Sequence, residues 1–429
     1  MTARASAPLA WIGRDAALIA LARGMRAFGQ GSVVVLLAIY LDLLGFSVIQ
    51  IGLFISAGLA GGALFTLVVV VVADTLGRRR LLVLFSLMTA AAALTMAGAD
   101  SFAVLLATSF VGSFAVAGGA AGGAVAPLEQ ASLAGTVSEE RRTDLYAFYG
   151  IVGTGAAALG ALAAGLPVLY QSAFGMSESG AYRVVFVTLA VLAGMAALCY
   201  AFLSPAVEAG ARGRRGWVNP FRLPSRRLIF TLSSLFSVDH FAGGLIPQSL
   251  VALWFFTHFG LELESIAFIF FGGSLMAAVS LWVAAKMANR IGLINTMVWT
   301  HIPSSLLLIA IPFLPNAWLA AAFWIVRGFF GQMDVPTRQS YTMAVVGSDE
   351  RSAMAGINSV TRSVTGAASP SVAAAVWNVG LAGIPFIACG LLKISYDLSL
   401  YFMFRNVRPP EEARRREAAR QPPSPASGD

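Results

Sequence analysis

A chain of 429 residues is long enough for two or three soluble domains, yet 58% of its residues are hydrophobic, 12% are charged and its mean hydropathy is +0.77. Soluble chains average roughly 45–50% apolar and about 25% charged, so the composition excludes an ordinary globular fold and places the chain in a lipid bilayer. The net charge of +8 does not point to nucleic acid, because the basic residues form short clusters between apolar segments with no interleaved aromatic pattern.

The chain opens with MTARASAPLAWIGRDAALIALARG, whose scattered arginines precede an apolar run too long for a cleavable leader, so the first helix is expected to be retained. A helix needs about 20 mostly apolar residues to cross the hydrocarbon. Twelve segments qualify: Ala16 to Leu41, Ile49 to Ala73, Leu81 to Ala99, Phe102 to Ala126, Leu145 to Tyr170, Tyr182 to Leu203, Leu228 to Phe259, Ile266 to Met287, Ile294 to Leu314, Ala317 to Val346, Ala353 to Gly380 and Ile384 to Phe404. The valine run Val68 to Val72 would favour a strand in water, but a bilayer admits only helices or closed barrels, and the alternation of a barrel strand is absent. The expected fold class is therefore an all-α membrane protein.

Basic residues orient it. Arg78 to Arg80, Arg141, Arg142, the linker arginines from Arg212 to Arg227, Lys286, Arg290, Arg351 and the tail arginines fall on one side, while the other carries Arg183 among Asp100, Glu178, Glu262 and Glu264. Both termini are expected in the cytoplasm, with a bacterial inner membrane as the setting. The longest inner connection, residues 204–227, is basic and rich in Gly, Pro and Ser, and it falls at mid-chain. It separates an amino-terminal six-helix bundle (1–203) from a carboxy-terminal one (228–404), followed by a polar, proline-rich tail (405–429) expected to be disordered.

The halves repeat each other. A shift of 215 residues lays Gly45 on Gly260 and ADTLG (from Ala73) on ANRIG (from Ala288); a shift of 209 lays PLEQ (from Pro127) on PTRQ (from Pro336). The order of these matches along the chain predicts a parallel duplication, giving twelve helices in two pseudo-symmetric bundles. Cys199 and Cys389 stand alone in apolar runs, so no disulfide, metal or cofactor is expected.

In this frame ADTLGRRR lies in the inner turn between the second and third helices, where Gly77 permits a reversal and Asp74 meets water. Here the chain resembles the major facilitator superfamily, whose signature in this loop has the form G-x-x-x-D-x-x-G-R-R. Asp74, Gly77, Arg78 and Arg79 match it, and Val70 replaces the leading glycine. The resemblance implies that these four residues help latch the halves together on the cytoplasmic side; topology signalling alone is the alternative. The second copy keeps Arg290 and Gly292 but has Asn289 in place of the acid, so the latch is expected to be stronger in the first half. Two further family motifs are missing: Thr108 and Ser109 occupy the arginine and glycine places of the fourth helix, and the fifth lacks the exporters' glycine-proline core.

An ionisable side chain at mid-membrane costs about 2.5–3.5 kcal/mol on insertion scales, which marks it as a candidate for function. Arg23, Arg26 and Gln30 share a face of the first helix; Asp239 and His240 lie mid-way along the seventh; Arg327, Asp334 and Arg338 are spaced to share a face of the tenth. The resemblance implies that helices 1, 4, 7 and 10 line a central cavity. Simpler readings stand beside these: Arg23 can snorkel, Arg327 can pair with Asp239, His240 can be a proton-linked site or a satisfied buried histidine, and Lys393 and Asp397 can neutralise each other at i, i+4. Glu129 and Arg338 read as structural.

The leading function is secondary active transport of a small organic solute by alternating access; the short loops and the arginine-rich first inner turn resemble bacterial exporters of drugs and metabolites, and the excess of arginines over acids among the cavity candidates favours an anionic or amphiphilic solute. Uptake by symport, a non-transporting sensor and an intramembrane enzyme are the alternatives; no P-loop, HExxH or GxSxG motif supports ATP use or hydrolysis. The expected partners are the solute, the lipid bilayer and a coupling proton or ion, with no nucleic acid and a monomeric state.

Overall fold

A computed structural model describes residues 12–113, 125–133, 136, 142–205, 207–208, 223–347 and 350–407. The side chain of Asp74, most of the linker and the tail beyond residue 407 lie outside the described residues. Among the described residues there is no strand, and nine helices are long and apolar enough to cross a membrane. The protein is an all-α membrane protein.

In the first half the helices are α1 (Arg14–Leu43), α2 (Val48–Leu76), α3 (Arg78–Gly98), α4 (Phe102–Gly112), α5 (Val125–Leu133), α6 (Arg142–Ala163), α7 (Leu166–Phe174) and α8 (Glu178–Ala201). In the second they are α9 (Arg226–Gly244), α10 (Gln248–Phe259), α11 (Leu263–Ile291), α12 (Leu293–Ala310), α13 (Ala317–Phe330), α14 (Asp334–Ala344), α15 (Arg351–Asn378) and α16 (Ile384–Phe404). Several expected single spans are thus broken. The seventh breaks between Gly244 and Pro247, where proline cannot continue the hydrogen-bond ladder. The tenth breaks at Gly331 to Met333, so Asp334 begins a new helix.

The turns carry the duplication into backbone geometry. Gly77 ends α2 at φ +86°, and Gly292, 215 positions later, ends α11 at φ +90°. Both turns need a left-handed residue with no room for a side-chain penalty, which is why glycine stands at each. Gly45 and Gly260, the other matched pair, are also positive, at +82° and +64°.

Lipid is as apolar as leucine, so helix association in a membrane relies on close packing rather than on hydrophobic burial. Between α1 and α6 this is extreme. A Cβ on Gly160 would stand 2.0 Å from the Phe28 carbonyl oxygen, and one on Gly31 would stand 2.1 Å from that of Ala157. The small-residue run of the fifth span therefore packs backbone on backbone against α1. Large apolar side chains such as Leu84, Leu94, Leu198, Trp282 and Phe402 face outward, as a lipid-facing surface requires.

The buried apolar residues form three clusters whose membership reveals the conformation. One, at the end of the bundle away from the termini, is built by both halves: Val33 to Leu41 of α1 and Ile51 to Ile55 of α2 join Leu250 to Phe255 of α10 and Leu263 to Phe270 of α11. The other two lie at the end nearer the termini. One uses only first-half residues, from Ala16 to Val207, and the other only second-half residues, from Leu223 to Phe404. The halves are therefore sealed at the far end and packed separately at the near end. The seal includes α2 against α15, where the Ser371 hydroxyl and Ser56 hydroxyl are 2.7 Å apart and a Cβ on Gly52 would meet that of Ala374 at 2.3 Å.

Candidate functional site

A cavity of about 230 Å³ lies between the halves, lined by α1, α6, the start of α10, α11 and α13. Its polar groups are Arg23, Gln30, Thr154, Gln248, Ser274, Arg327 and Gln332; Phe270 and Trp324 form part of the apolar wall. No acid is among the described residues that line it. The fourth span, which the family resemblance assigned to the cavity, contributes none of these residues, and its residues 114–124 lie outside the described ones. The fifth and eighth spans, as α6 and α11, take part instead.

Arg23 and Arg327 come from opposite halves and define the cavity's electrostatics. Arg23 is only 8% exposed. The Nε of each guanidinium is buried without a hydrogen-bond partner, and among the described residues neither arginine forms an ion pair. Each is held by an aromatic face instead: the Arg23 guanidinium lies 5.2 Å from the Tyr149 ring centroid, and that of Arg327 lies 4.7 Å from Trp324. Gly153 gives Arg23 its place, since a Cβ there would come within 2.5 Å of Arg23 Nε. Two forked cations, one from each half, thus face a cavity whose described lining carries no carboxylate.

The remaining charged candidates lie elsewhere. Arg26, one turn from Arg23, binds Glu129 of α5 at 2.9 Å, and Glu129 also accepts from Tyr149 at 2.6 Å and from Tyr200. Asp239 does not pair with Arg327. It accepts from Arg338 Nη1 at 2.7 Å and Lys393 Nζ at 2.6 Å. Asp334 lies 3.3 Å from Arg338 Nη2, so the break after α13 sends Asp334 and Arg338 into this cluster and leaves Arg327 alone at the cavity. Lys393 and Asp397 do not neutralise each other: Lys393 reaches Asp239, and Asp397 lies 3.0 Å from His301 Nδ1. His240 neighbours Asp239 in the chain and does not line the cavity.

Two of these buried ion pairs occupy matched places with their signs exchanged. Glu129 of PLEQ partners Arg26 of the first span, while Arg338 of PTRQ partners Asp239 of the seventh. Each half is thereby braced internally, first span to fourth and seventh to tenth.

At the near end, the turn carrying Gly77, Arg78 and Arg79 is bound within the first half. Glu208, past the end of α8, accepts from the backbone N–H of Arg78 at 2.8 Å and of Arg79 at 2.9 Å, occupying the anion-binding start of α3. The Arg78 side chain donates to the Ala131 carbonyl at 3.0 Å, and that of Arg79 donates to the Ala201 carbonyl. Asp74's side chain lies outside the described residues. Sequence reasoning did not single out Glu208, Gln248, Trp324 or His301; Gln248 directly after Pro247 at a broken span was the available signal for the cavity.

Comparison with known proteins places this geometry. A profile described as Major Facilitator Superfamily matches residues 19–370 and 249–428. An uncharacterized membrane protein of Saccharomyces cerevisiae, YJR124C, is 23% identical over 426 residues, covering 92% of this chain and 95% of its own length. A bacterial homolog of the human lysosomal transporter Spinster, in an inward-facing and unoccupied conformation, superposes with a TM-score of 0.70 at 14% identity over 91% of this chain and 96% of its own. The nucleoside transporter NupG superposes with a TM-score of 0.71 at 15% identity over 91% of this chain and 99% of its own. At such identities the likeness shows the fold.

Proposed function

The chain belongs to the Major Facilitator Superfamily and is a multi-pass membrane transporter, and from that premise we propose that it carries a small organic anion across a cell membrane by alternating access. The observation that carries this reading is the pair of cavity arginines, one from each half, with no acid beside them. In a site partly shielded from water an uncompensated guanidinium is costly, and an anion bridging Arg23 and Arg327 satisfies both halves at once. Gln30, Gln248 and Gln332 offer neutral donors and acceptors for the rest of the solute, and Trp324 offers an aromatic face.

The direction we propose is export. The cavity faces the end that bears the termini, and the excess of basic residues in the loops there supports a cytoplasmic placement. In that direction an anion loads from inside in this conformation and leaves when the far-end seal opens. The test of the binding claim is thermal stabilisation of the purified protein by a panel of carboxylates and phosphate esters beside neutral analogues of similar size. Stabilisation by anions that disappears in Arg327→Gln supports the reading. Equal stabilisation by neutral analogues, unchanged in that variant, contradicts it.

A further inference from the structure

The second half contains an unbroken chain of six ionisable side chains that the cavity does not use. Asp334 touches Arg338, Arg338 touches Asp239, Asp239 touches Lys393, Lys393 lies 3.3 Å from His301 Nε2, and His301 Nδ1 lies 3.0 Å and 3.1 Å from the two Asp397 oxygens. It links α14, α9, α16 and α12. Asp239, Asp334, His301 and Asp397 are all buried. A merely structural brace would be complete at Arg338 and Asp239, as its counterpart Arg26–Glu129 shows in the first half.

The geometry determines where the protons are. An ammonium can only donate, so Lys393 requires an unprotonated Nε2 on His301. The ring proton is therefore on Nδ1, where it donates to Asp397. With His301 neutral in that tautomer, Asp334 and Asp239 share Arg338 and Lys393, whereas the buried Asp397 carboxylate has only a neutral ring as its hydrogen-bond partner, and a carboxylate so placed favours one more proton on that ring. The other groups around the dyad do not supply it. Tyr396 presents its ring to His301 at 6.3 Å between centroids. His240 and Arg362 act on Asp239 and Arg338 at the far end of the chain. From α13, Arg327 presents its backbone carbonyl to Ser304, and the ionisable groups of α11, Glu264, Lys286 and Arg290, are exposed.

We propose that the His301–Asp397 dyad is a binding site for a single proton, and that filling it exchanges the Lys393–His301 hydrogen bond between α16 and α12 for a His301–Asp397 ion pair between the same helices. The added proton must go to Nε2, the ring nitrogen still free, and an N–H there faces the Lys393 ammonium. The Lys393–His301 hydrogen bond breaks, Lys393 stays with Asp239, and the new imidazolium is held by Asp397. The effect reaches the cavity by a short route. Ser304, one turn from His301 on α12, donates to the Arg327 carbonyl and would meet a Cβ on Gly331 at 2.9 Å, and both residues line the cavity.

The test needs no knowledge of the solute. The protein has three histidines, so full-length protein labelled with ¹⁵N-histidine and carrying His240→Gln and His258→Gln reports His301 alone. The expected spectrum near neutrality shows Nδ1 protonated and Nε2 bare, converting to imidazolium as buffer is acidified through the range about pH 5 to 8 in which histidine switches act. Lys393→Gln should populate the Nε2–H tautomer as well, because the donor that excluded it is gone. Asp397→Asn should leave His301 neutral in buffer that half-protonates the parent. A parent spectrum with Nε2 protonated at neutrality, or an unchanging one across that range, overturns the proposal without recourse to either variant. So does a titration that Asp397→Asn does not move.

Discussion

Gly52→Ala is the sharpest probe of the conformational claim, because the seal between the halves leaves no room at that position. The added methyl would lie 2.3 Å from Ala374 Cβ and 2.9 Å from the Pro370 carbonyl oxygen. Ordinary contact begins at 3.4 Å, so α2 and α15 must separate by about 1.1 Å locally. Overpacking of this kind costs roughly 1–3 kcal/mol. The α2–α15 contact belongs to the far-end seal, so this cost falls on the sealed state and should shift its population against the alternative by about 5- to 150-fold. Spin labels at Thr75 and Gly356, both exposed near the terminal ends of α2 and α15, measure the change as a distance distribution in a background free of Cys199 and Cys389. The near-end distance should shorten in Gly52→Ala and stay put in Gly98→Ala, where a Cβ meets nothing within 4 Å. An unchanged distribution in Gly52→Ala would refute the far-end seal.

The charged residues separate into two behaviours. Arg23→Gln and Arg327→Gln should each weaken anion binding by about 10- to 150-fold, the range of roughly 1.5–3 kcal/mol for a hydrogen bond to a charged group, while thermal stability is nearly unchanged because no acid is stranded. Asp239→Ala, by contrast, strands the buried Lys393 ammonium and leaves Arg338 with Asp334 alone, and should destabilise the fold by roughly 3–5 kcal/mol, read as a large fall in Tm. If Arg327→Gln is the more destabilising of the two, the assignment of partners is wrong. Glu350 predicts a pH effect. Burial alone would raise its carboxyl, but hydrogen bonds from Ser225 and the Gly347 backbone hold it below the ordinary carboxylate range. Its contribution is then complete above that range and is lost as pH falls through the lowered folded value, so Glu350→Gln should flatten the acid limb of Tm against pH. An acid limb identical to the parent's would remove Glu350 from the account.

Hydropathy and glycine placement made the architecture legible in the sequence. The spans follow from apolar length, and the matched pairs Gly45/Gly260 and Gly77/Gly292 announced turns that share a backbone conformation. What spacing along one helix could not tell is which neighbouring helix supplies a partner. Lys393 and Asp397 are four apart and invite pairing, yet Asp239 and His301, 154 and 96 positions away, capture them. Arg23 and Arg26 share a face by count, but a three-residue step rotates Arg26 toward α5 and α8 while Arg23 meets the cavity. The face proposed for Arg327, Asp334 and Arg338 presumed a continuous helix, and no proline precedes the break at Gly331 to warn of it.

Counterflow in proteoliposomes tests the central claim most directly. Vesicles loaded with one organic anion at high concentration and diluted into a trace of its labelled form should accumulate label transiently when they contain the parent protein. Across a panel of carboxylates and phosphate esters, the account predicts at least one that is exchanged by the parent and not by Arg23→Gln or Arg327→Gln. Exchange of neutral or cationic solutes that persists undiminished in both variants would contradict it.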